Sequence, residues 1–242
     1  MASPRSIVVL TGAGISAESG LATFRGPDGL WEGHHVEQVC TPQALARDPA
    51  TVHRFYDARR AALSQVEPNA AHRALARLDA EWPGDLVIVT QNVDDLHERA
   101  GARRLIHMHG ELLSALCASC GAREPWAGQL DPGMPCPACD APALRPDIVF
   151  FGEMPYAMDR IEGAIAAADL FVSIGTSGAV YPAAGFVQTA RYAGGRTLEL
   201  NLEPSAGSAL FDESRLGPAS LLVPAWVEET LAVAGPNPAA AR

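Results

Sequence analysis

Four of the five cysteines form two pairs whose spacing is typical of a zinc site. The pairs are Cys117-x-x-Cys120 and Cys136-x-x-Cys139. Each pair can lie on a tight turn, and two such pairs of thiolates can close a tetrahedron around one ion. Because all four predicted ligands are cysteines, no coordination position stays open for a substrate, and we interpret the metal as structural. Disulfides are the weaker alternative in a chain without a recognisable export signal, and Cys40 is expected to be a small buried residue.

A second candidate site is a glycine turn near the start of the chain. Residues 7–10 form an apolar run that predicts a buried strand, and Gly12-Ala13-Gly14 with Ala17 follows it. Glycines at such a turn let the backbone approach a pyrophosphate, whose charge is favoured by backbone N–H groups and the positive end of a helix dipole. By itself the pattern fits a dinucleotide site and an ordinary strand-to-helix turn about equally well.

Polar side chains follow the later predicted strands as well. Residues 86–90, 168–174 and 197–201 read as buried strands. In an open parallel sheet, ligands bind outside the carboxyl ends of the strands, so the residues that follow these strands are expected near the glycine turn. Asn92 and Asp94 could instead cap a helix, but the recurrence at several strand ends favours dinucleotide binding. Glu203 could hold ribose hydroxyls, although no acidic residue is evident about twenty positions after the glycine turn.

Two histidines lie on a short segment, residues 105–110, that predicts another strand. Side chains alternate along a strand, so His107 and His109 share one face, and His109 is next to Gly110 at the strand end. A histidine in this position can be a general base because its ordinary pKa lies near neutrality. A structural histidine or a His-x-His metal pair are the alternatives, and the motif alone favours the structural interpretation.

The composition excludes several kinds of chemistry. All 18 basic residues are arginine, so no lysine can form a Schiff base, anchor pyridoxal phosphate or serve a Walker-type phosphate site. A Gly-x-Ser-x-Gly elbow and a His-Glu-x-x-His zinc motif are also missing. The formal charge of -10 argues against a nucleic acid or a membrane as partner. Acidic residues interrupt the apolar segments well short of a membrane-spanning length, and we expect a cytoplasmic protein.

The ordered motifs together resemble the sirtuins, which are NAD-dependent protein deacylases, and in particular the bacterial class III type with desuccinylase and deacetylase activity. The resemblance covers residues 7–227. Several separate motifs in the right order are far more specific than one glycine turn. The motifs are Gly12-Ala13-Gly14-Ile15-Ser16, Thr90-Gln91-Asn92-Val93-Asp94, His109-Gly110, the four paired cysteines, Phe151-Gly152-Glu153, Gly175-Thr176-Ser177 and Asn201-Leu202-Glu203.

The resemblance implies that NAD is consumed as a co-substrate and that one structural zinc ion is present. The carbonyl oxygen of an acylated lysine would attack the ribose carbon that bears nicotinamide, with His109 as general base and Asn92 in the nicotinamide pocket. Nicotinamide would leave, and the acyl group would pass to ADP-ribose. No nucleophilic side chain of the protein is then needed, because the substrate supplies the nucleophile.

The resemblance also implies two sets of binding residues. NAD would be held by Gly12, Ala13, Gly14, Ile15, Ser16, Phe24, Arg25, Gln91, Asn92, Asp94, Gly175, Thr176, Ser177, Asn201, Leu202, Glu203 and Ala219. An acylated protein segment would bind in extended form, by strand addition, next to Phe151, Gly152, Glu153, Gly178 and Val180.

The type of acyl group is indicated by a helix and a loop. Ala22-Thr23 replaces the Pro-Asp of most sirtuins, and Tyr56-x-x-Arg59 resembles the signature of members that remove acidic acyl groups. Positions i and i+3 share a helix face, so Arg59 could pair with a succinyl or malonyl carboxylate while Tyr56 donates a further hydrogen bond. Arg60 is expected to be solvated. Cys40 stands where this class usually has alanine, which predicts a narrower acyl pocket.

We therefore predict an α/β fold with a Rossmann-like parallel sheet, helices on both faces, and a small domain made of a helical insertion and a four-cysteine zinc module. The predicted NAD-binding domain spans residues 1–34, 67–112 and 147–235. The helical insertion would span 35–66, the zinc module 113–146 and a disordered tail 236–242. Helices are predicted over residues 51–65 and 70–82, with a possible last strand over 220–223.

Two other functions fit parts of the sequence. A hydride-transferring dehydrogenase would use the same nucleotide fold, but the cysteine module and the missing substrate-oxidation residues disfavour it. A non-enzymatic NAD-binding sensor is disfavoured by an intact His109.

Overall fold

A parallel sheet with helices on both faces forms the centre of the structure. The computed structural model describes residues 4–22, 30–31 and 34–234. Its strands are β1 (Ser6–Thr11), β2 (Leu30–Trp31), β3 (His34–His35), β4 (Asp85–Thr90), β5 (Leu105–His107), β6 (Gly110–Cys117), β7 (Arg123–Pro125), β8 (Leu144–Ile148), β9 (Leu170–Ile174), β10 (Arg196–Asn201) and β11 (Glu213–Leu216). Its α-helices are α1 (Gly14–Ala17), α2 (Val36–Val39), α3 (Pro42–Arg47), α4 (Pro49–Ala62), α5 (Ala70–Glu81), α6 (Leu96–Ala100), α7 (Met158–Ala166), α8 (Phe186–Tyr192) and α9 (Ala219–Ala234).

The order of the six-stranded sheet is β11-β10-β9-β1-β4-β5, and neighbouring strands run parallel. The chain fills one half of the sheet with β1, β4 and β5, and then fills the other half with β9, β10 and β11. The order therefore reverses at β1, and such a reversal opens a crevice at the carboxyl ends of the strands. The predicted α/β fold with a Rossmann-like sheet is confirmed.

The side chains of β1 explain why its sequence is apolar without interruption. Ile7 and Val9 point into one buried cluster, which α5 and α9 cover. Val8 and Leu10 point into a second cluster on the opposite face, beneath α7 and α8. Because successive side chains of a strand face opposite sides, a strand covered on both faces needs apolar residues at every position.

Side chains cap the N-termini of the helices α4 and α5. The side chain of Asp48 accepts a hydrogen bond from the Thr51 amide at 3.0 Å, and Pro49 occupies the first turn of α4. The side chain of Asn69 likewise accepts from the Ala71 amide at 2.9 Å where α5 begins. Both helices were expected at these places, although α4 ends at Ala62 and continues as a 3-10 turn over Leu63–Gln65.

Two of the sequence predictions about strands are wrong. The run 220–223 belongs to α9, and the last strand is β11. The three apolar residues Leu221 to Val223 fit a buried strand and a buried helix equally well, and here the run continues through the apolar residues of a longer helix. The strand after α6 ends at His107, so His109 lies in the turn between β5 and β6 and does not share a strand face with His107.

A smaller antiparallel sheet carries the first cysteine pair. Its order is β7-β6-β8, and Cys117 is the last residue of β6. Helices α2 to α4 pack against this sheet through a third apolar cluster, which contains Tyr56, Leu112 and Phe150. The exact division into domains stays a prediction. Within the described residues, no helix has the length and apolar character that crossing a membrane requires.

One partly buried ion pair joins α5 to the segment that precedes β5. Asp79 accepts hydrogen bonds from the backbone amides of Arg103 and Arg104 at 2.5 and 3.1 Å, and from Nε of Arg104 at 2.5 Å. Burial raises the pKa of the Asp79 carboxyl, but these hydrogen bonds outweigh burial and leave the pKa below its ordinary value.

Replacing Asp79 with asparagine is expected to lower the free energy of unfolding by about 1–3 kcal/mol above pH 5, because charge-assisted hydrogen bonds are lost. The lowered pKa means that Asp79 stabilises the fold above its unfolded pKa of about 3.9, and that this contribution disappears as the pH falls through the folded value. Urea unfolding from pH 3 to pH 7 measures the difference. Glu81→Gln, in an exposed ion pair with Arg77, is the control, and it should change the free energy of unfolding little. If both variants lost the same stability at every pH, the stabilising role of the Asp79 carboxylate would be contradicted.

Candidate functional site

A cleft with a volume of 1010 Å³ lies at the carboxyl ends of the sheet strands. Its walls come from the glycine turn after β1, from the segments that follow β4, β9 and β10, from α4 and from residues 148–155. It therefore joins most of the predicted cofactor residues and most of the predicted substrate residues in one space.

The glycines of the opening turn are required by a contact between two backbone segments. A Cβ atom on Gly12 would lie 2.9 Å from the carbonyl oxygen of Gly175, and one on Gly14 would lie 2.7 Å from the Cα atom of Gly175. The Gly14 amide donates a hydrogen bond to this carbonyl at 2.8 Å. Gly175 itself has a φ of +62°, which favours glycine. Since α1 has only four residues, the close approach of backbones defines this end of the cleft more than a helix dipole does.

Ser16 joins three of the predicted residues in one hydrogen-bonded group. Its hydroxyl donates to Oδ2 of Asp94 at 3.0 Å and accepts from Nδ2 of Asn92 at 3.1 Å. Asp94 also accepts from the Leu96 amide at 3.1 Å, but the N-cap position of α6 is occupied by Asp95 and not by Asp94. Burial raises the pKa of Asp94. The group fixes the Asn92 amide, which is 7% exposed.

Two buried histidines that the sequence analysis passed over support this group from behind. The Asn69 amide donates to Nδ1 of His72, so Nε2 of His72 carries the proton and donates to Ser16 at 3.4 Å. His97 lies against Thr11 at 3.0 Å. Burial lowers the pKa of His72 to about 4 and also lowers that of His97 well below its ordinary value, so both rings are neutral at pH 7. The only sign of this role in the sequence is the spacing of His72, three residues after Asn69, which is the spacing of a capping box.

His109 lines the cleft in a defined tautomer. Its Nδ1 lies 3.2 Å from the carbonyl oxygen of Gln91. A carbonyl only accepts, so Nδ1 carries the proton and Nε2 keeps its lone pair. Burial lowers the pKa of His109, so the ring is neutral at pH 7. His107 pairs in the same way with the carbonyl of Asn92 at 3.0 Å, and its Nε2 lies 2.6 Å from Glu98.

Arg59 lines the cleft, whereas Tyr56 lies behind its wall. Tyr56 is completely buried between the rings of Phe55 and Phe150, at centroid distances of 5.0 and 6.0 Å. Its hydroxyl lies against the thiol of Cys40, which does line the cleft. Burial raises the pKa of both groups, so both keep their protons.

The predicted solvation of Arg60 is wrong. Arg60 is only 3% exposed, and its Nε donates to the Leu112 carbonyl at 2.7 Å. Its NH1 donates to Asp57 at 2.5 Å. Adjacent arginines on a helix differ in direction by about 100°, and the sequence does not show which of them a neighbouring module covers.

Residues 151–153 and Val180 also line the cleft, while Gly178 does not. Glu153 forms a two-pronged ion pair with Arg145 at 2.6 and 2.8 Å, and accepts a hydrogen bond from the Phe150 amide at 2.8 Å. The Phe151 ring is 44% exposed. The segment therefore keeps a defined backbone path with an apolar side chain at its surface.

The remaining predicted cofactor residues divide into three groups. Those that line the cleft beyond the Gly12 turn are Gly175, Thr176, Ser177, Asn201, Leu202, Glu203 and Ala219, and Nδ2 of Asn201 donates to the Thr176 carbonyl at 2.7 Å. Ile15 is buried beneath the turn and does not line the cleft. Phe24 and Arg25 lie outside the described residues, as does the predicted tail. Glu18 was not predicted; it lines the cleft and accepts from the Ser220 amide at 2.9 Å.

The four paired cysteines are placed to hold a zinc ion. Their sulfur atoms all lie within 4.8 Å of one another, with Cys117–Cys139 at 3.7 Å and Cys120–Cys136 at 3.8 Å. A tetrahedron with Zn–S bonds of about 2.3 Å has edges close to 3.8 Å. A disulfide would need about 2.05 Å. The donor set and the sulfur spacing therefore fit a structural zinc ion.

The two cysteine turns have the same backbone pattern. The Cys117 carbonyl accepts from the amide four residues later, at Gly121, and the Cys117 amide donates to the carbonyl five residues later. The Cys136 carbonyl and amide make the corresponding bonds at Asp140 and Ala141. Gly121 and Asp140 both have positive φ, at 75° and 63°. Two matching turns aim two thiols each at one point.

Known proteins resemble this chain over nearly its whole length. An NAD-dependent protein deacylase of Caulobacter vibrioides is 58% identical over 230 residues, which are 93% of this chain and 97% of that protein. A solved Sir2 homolog–NAD complex is 38% identical with a TM-score of 0.86, covering 96% of this chain and 91% of that chain. A solved Sir2–p53 peptide–NAD+ complex is 28% identical with a TM-score of 0.77 and covers 93% of each chain.

A family model agrees with these likenesses. The model described as the Sir2 family matches residues 12–182, which include the glycine turn, His109 and all four paired cysteines. The chain belongs to the Sir2 family.

Proposed function

We propose that this protein is an NAD-dependent protein-lysine deacylase that removes succinyl and malonyl groups, and also acetyl groups. Support comes from the deacylase named among its relatives and from solved family members bound to NAD and to a peptide. The observation that carries the proposal is the neutral His109, which lines the same cleft as the glycine turn and Arg59. NAD would be a co-substrate that supplies a ribose carbon with nicotinamide as leaving group.

His109 would accept a proton from a ribose hydroxyl. The Gln91 carbonyl holds the proton on Nδ1, so Nε2 is the nitrogen that can act as a base. The acyl oxygen of the substrate would form the new bond to the ribose carbon, and the electron pair of the old bond would leave with nicotinamide. No side chain of the protein becomes covalently bound, which agrees with a lysine-free chain whose four paired cysteines lie together at another site.

Asn92, Asp94 and Ser16 would form the nicotinamide pocket. The Asn92 amide is already held by Ser16, so its orientation costs little on binding. The turn at Gly12, Ala13 and Gly14 would take the phosphates, with Ile15 supporting it from below. Gly175 to Ser177, Asn201 to Glu203, Gln91 and Ala219 would hold the nucleotide, and Phe24 and Arg25 stay predicted parts of the same site.

An acylated lysine would enter the cleft between two backbone segments. Residues 151–153 on one side and Gly178 to Val180 on the other would bind an extended peptide by strand addition. Gly178 would act through its backbone, since its φ of +64° is suited to glycine and a Cβ atom would lie 3.0 Å from the Gly207 amide nitrogen.

Arg59 would distinguish acidic acyl groups from acetyl. A guanidinium at the wall of a water-poor pocket favours a carboxylate, because charge-assisted hydrogen bonds are strong there. An acetyl chain has no carboxylate to accept these hydrogen bonds, so its relative rate is lower. Tyr56, protonated and in contact with Cys40, would complete the wall behind the acyl chain. The zinc ion would be structural.

Replacing His109 with alanine is expected to reduce kcat by 100-fold or more, because a positioned general base contributes about 10²- to 10⁴-fold. Nicotinamide release from NAD and an acylated peptide is the measurement. His35→Ala, at an exposed histidine of β3, is the matched control and should keep wild-type turnover. Full turnover by the His109 variant would show that another group is the base.

The acidic side of the pH profile should report the lowered pKa of His109. A base must be neutral, so kcat/KM for NAD stays high as the pH falls to 6.5, the ordinary histidine value, and declines only below it. Rates from pH 4.5 to 8 measure this limb. A midpoint above 6.5 would contradict the assignment.

Replacing Arg59 with methionine is expected to reduce kcat/KM for a succinyl-lysine peptide at least about tenfold more than for the matched acetyl-lysine peptide, because a charged hydrogen bond is worth about 1.5–3 kcal/mol. Arg47→Met, at an exposed arginine of α3, removes the same charge outside the cleft and should leave the ratio unchanged. An equal loss on both peptides would mean that Arg59 does not bind the acid.

A further inference from the structure

Two polar side chains of α4 hold a loop of the cysteine module. Nδ1 of His53 donates to the Leu130 carbonyl at 2.6 Å. Asp57 accepts from the Leu130 amide, at 3.1 Å to Oδ1 and 3.3 Å to Oδ2. Because these positions are four residues apart, they lie on one face of the helix. Both backbone groups of Leu130 are therefore bonded to α4.

Arg60 extends the same contact to two further segments. Its NH1 donates to Asp57 at 2.5 Å and to the Gly128 carbonyl at 3.2 Å. Its Nε donates to the Leu112 carbonyl in β6. The guanidinium is buried, so its charge depends on Asp57 for compensation. We call His53, Asp57 and Arg60 the α4 clamp.

The far end of the clamp is fixed in the zinc module itself. Leu130 is fully buried and belongs to one apolar cluster with Cys117 and Cys136, one cysteine from each pair. The helix is thus joined to the cysteine site by a continuous series of contacts, although no clamp residue lines the cleft.

The residues proposed to contact the acyl group lie in the same helical turn as the clamp. Tyr56 directly precedes Asp57, and Arg59 directly precedes Arg60. Successive side chains on a helix point about 100° apart. The clamp adds polar contacts to the apolar packing of Val52, Phe55 and Tyr56. It therefore constrains the rotation of α4, and with it the direction of Arg59.

We propose that Asp57 and Arg60 are positioning residues for acyl selectivity: they fix the rotation of α4 so that Arg59 meets the carboxylate of a succinyl or malonyl group. This inference rests on the proposed function of Arg59. A long cation at a carboxylate needs accurate placement, and an error near 1 Å is costly. An acetyl group makes no ion pair, so its removal is much less sensitive to the rotation of α4.

The test uses Asp57→Asn and the double variant Asp57→Leu/Arg60→Met in the full-length, zinc-loaded protein. The single variant leaves the Arg60 charge without its counter-ion, and the double variant removes both charges, an exchange that often preserves stability. The kcat and KM values for matched succinyl- and acetyl-lysine peptides are measured, together with zinc content and amide hydrogen exchange over residues 51–60. We expect the succinyl-to-acetyl ratio of kcat/KM to fall about tenfold, mainly through a higher KM for the succinyl peptide, with faster exchange in α4.

Asp79→Asn is the matched control. It also removes the carboxylate of a partly buried aspartate–arginine pair with a 2.5 Å contact, but on α5 and away from the cleft. It should lower the stability without changing the succinyl-to-acetyl ratio of kcat/KM. If the clamp were purely structural, the clamp variants would lose both activities in parallel, as the control would.

The outcomes separate the two proposals. If Arg59→Met lowers the ratio but both clamp variants keep the wild-type ratio at normal zinc content, the clamp inference is wrong and the proposed function stands. An equal loss of both activities in the clamp variants also overturns the inference. If Arg59→Met itself leaves the ratio unchanged, the acyl preference is wrong and the clamp inference is overturned with it.

Discussion

The cleft depends on direct contact between two backbone turns. Gly14 begins α1, three residues after β1, and Gly175 directly follows the neighbouring strand β9. Their backbones approach so closely that a Cβ atom on either would overlap the other segment. A wider separation would break the hydrogen bonds from the Gly12 amide to the Ile174 carbonyl and from the Gly14 amide to the Gly175 carbonyl. The glycines therefore serve the protein's own packing first, and the cleft opens beside the turn that this packing forms.

Buried histidines lie in the wall of the cleft and behind it. Burial lowers the pKa of His72, His97 and His109, and a backbone partner places the proton on the rings of His72 and His109. A neutral ring can accept a proton without first losing one, so the low pKa of His109 suits a general base at neutral pH. The exception is His107, in which Glu98 outweighs burial and raises the pKa. It holds the Asn92 carbonyl while His109 holds that of Gln91, so two histidines fix two successive residues of the cleft.

Patterns with a strict geometric cause were predictable from the sequence. The unbroken apolar run of β1 follows from burial on both faces, and the cysteine spacing follows from two matching turns around one ion. The local sequence does not predict a residue's secondary structure or burial where these depend on which distant segment packs against it. The run 220–223 suits a strand or a helix until its packing against the sheet is known, and Arg60 cannot be told from Arg59 until the loop at Leu130 is placed. His72 and Ser16 are 56 residues apart in the chain and meet only after folding.

The proposed roles divide among three parts of the fold: selectivity in α4, chemistry at His109 and support in the zinc module. Arg59 of α4 and His109 line one cleft, and the proposed reaction passes the acyl group of a modified lysine to the ribose of NAD. The most direct measurement is mass spectrometry of the products from NAD with matched succinyl- and acetyl-lysine peptides. With each peptide, we expect one molecule of nicotinamide for each molecule of O-acyl-ADP-ribose, and both products should form faster from the succinyl peptide. Deacylated peptide without O-acyl-ADP-ribose, or no product from either peptide, would contradict the proposed reaction.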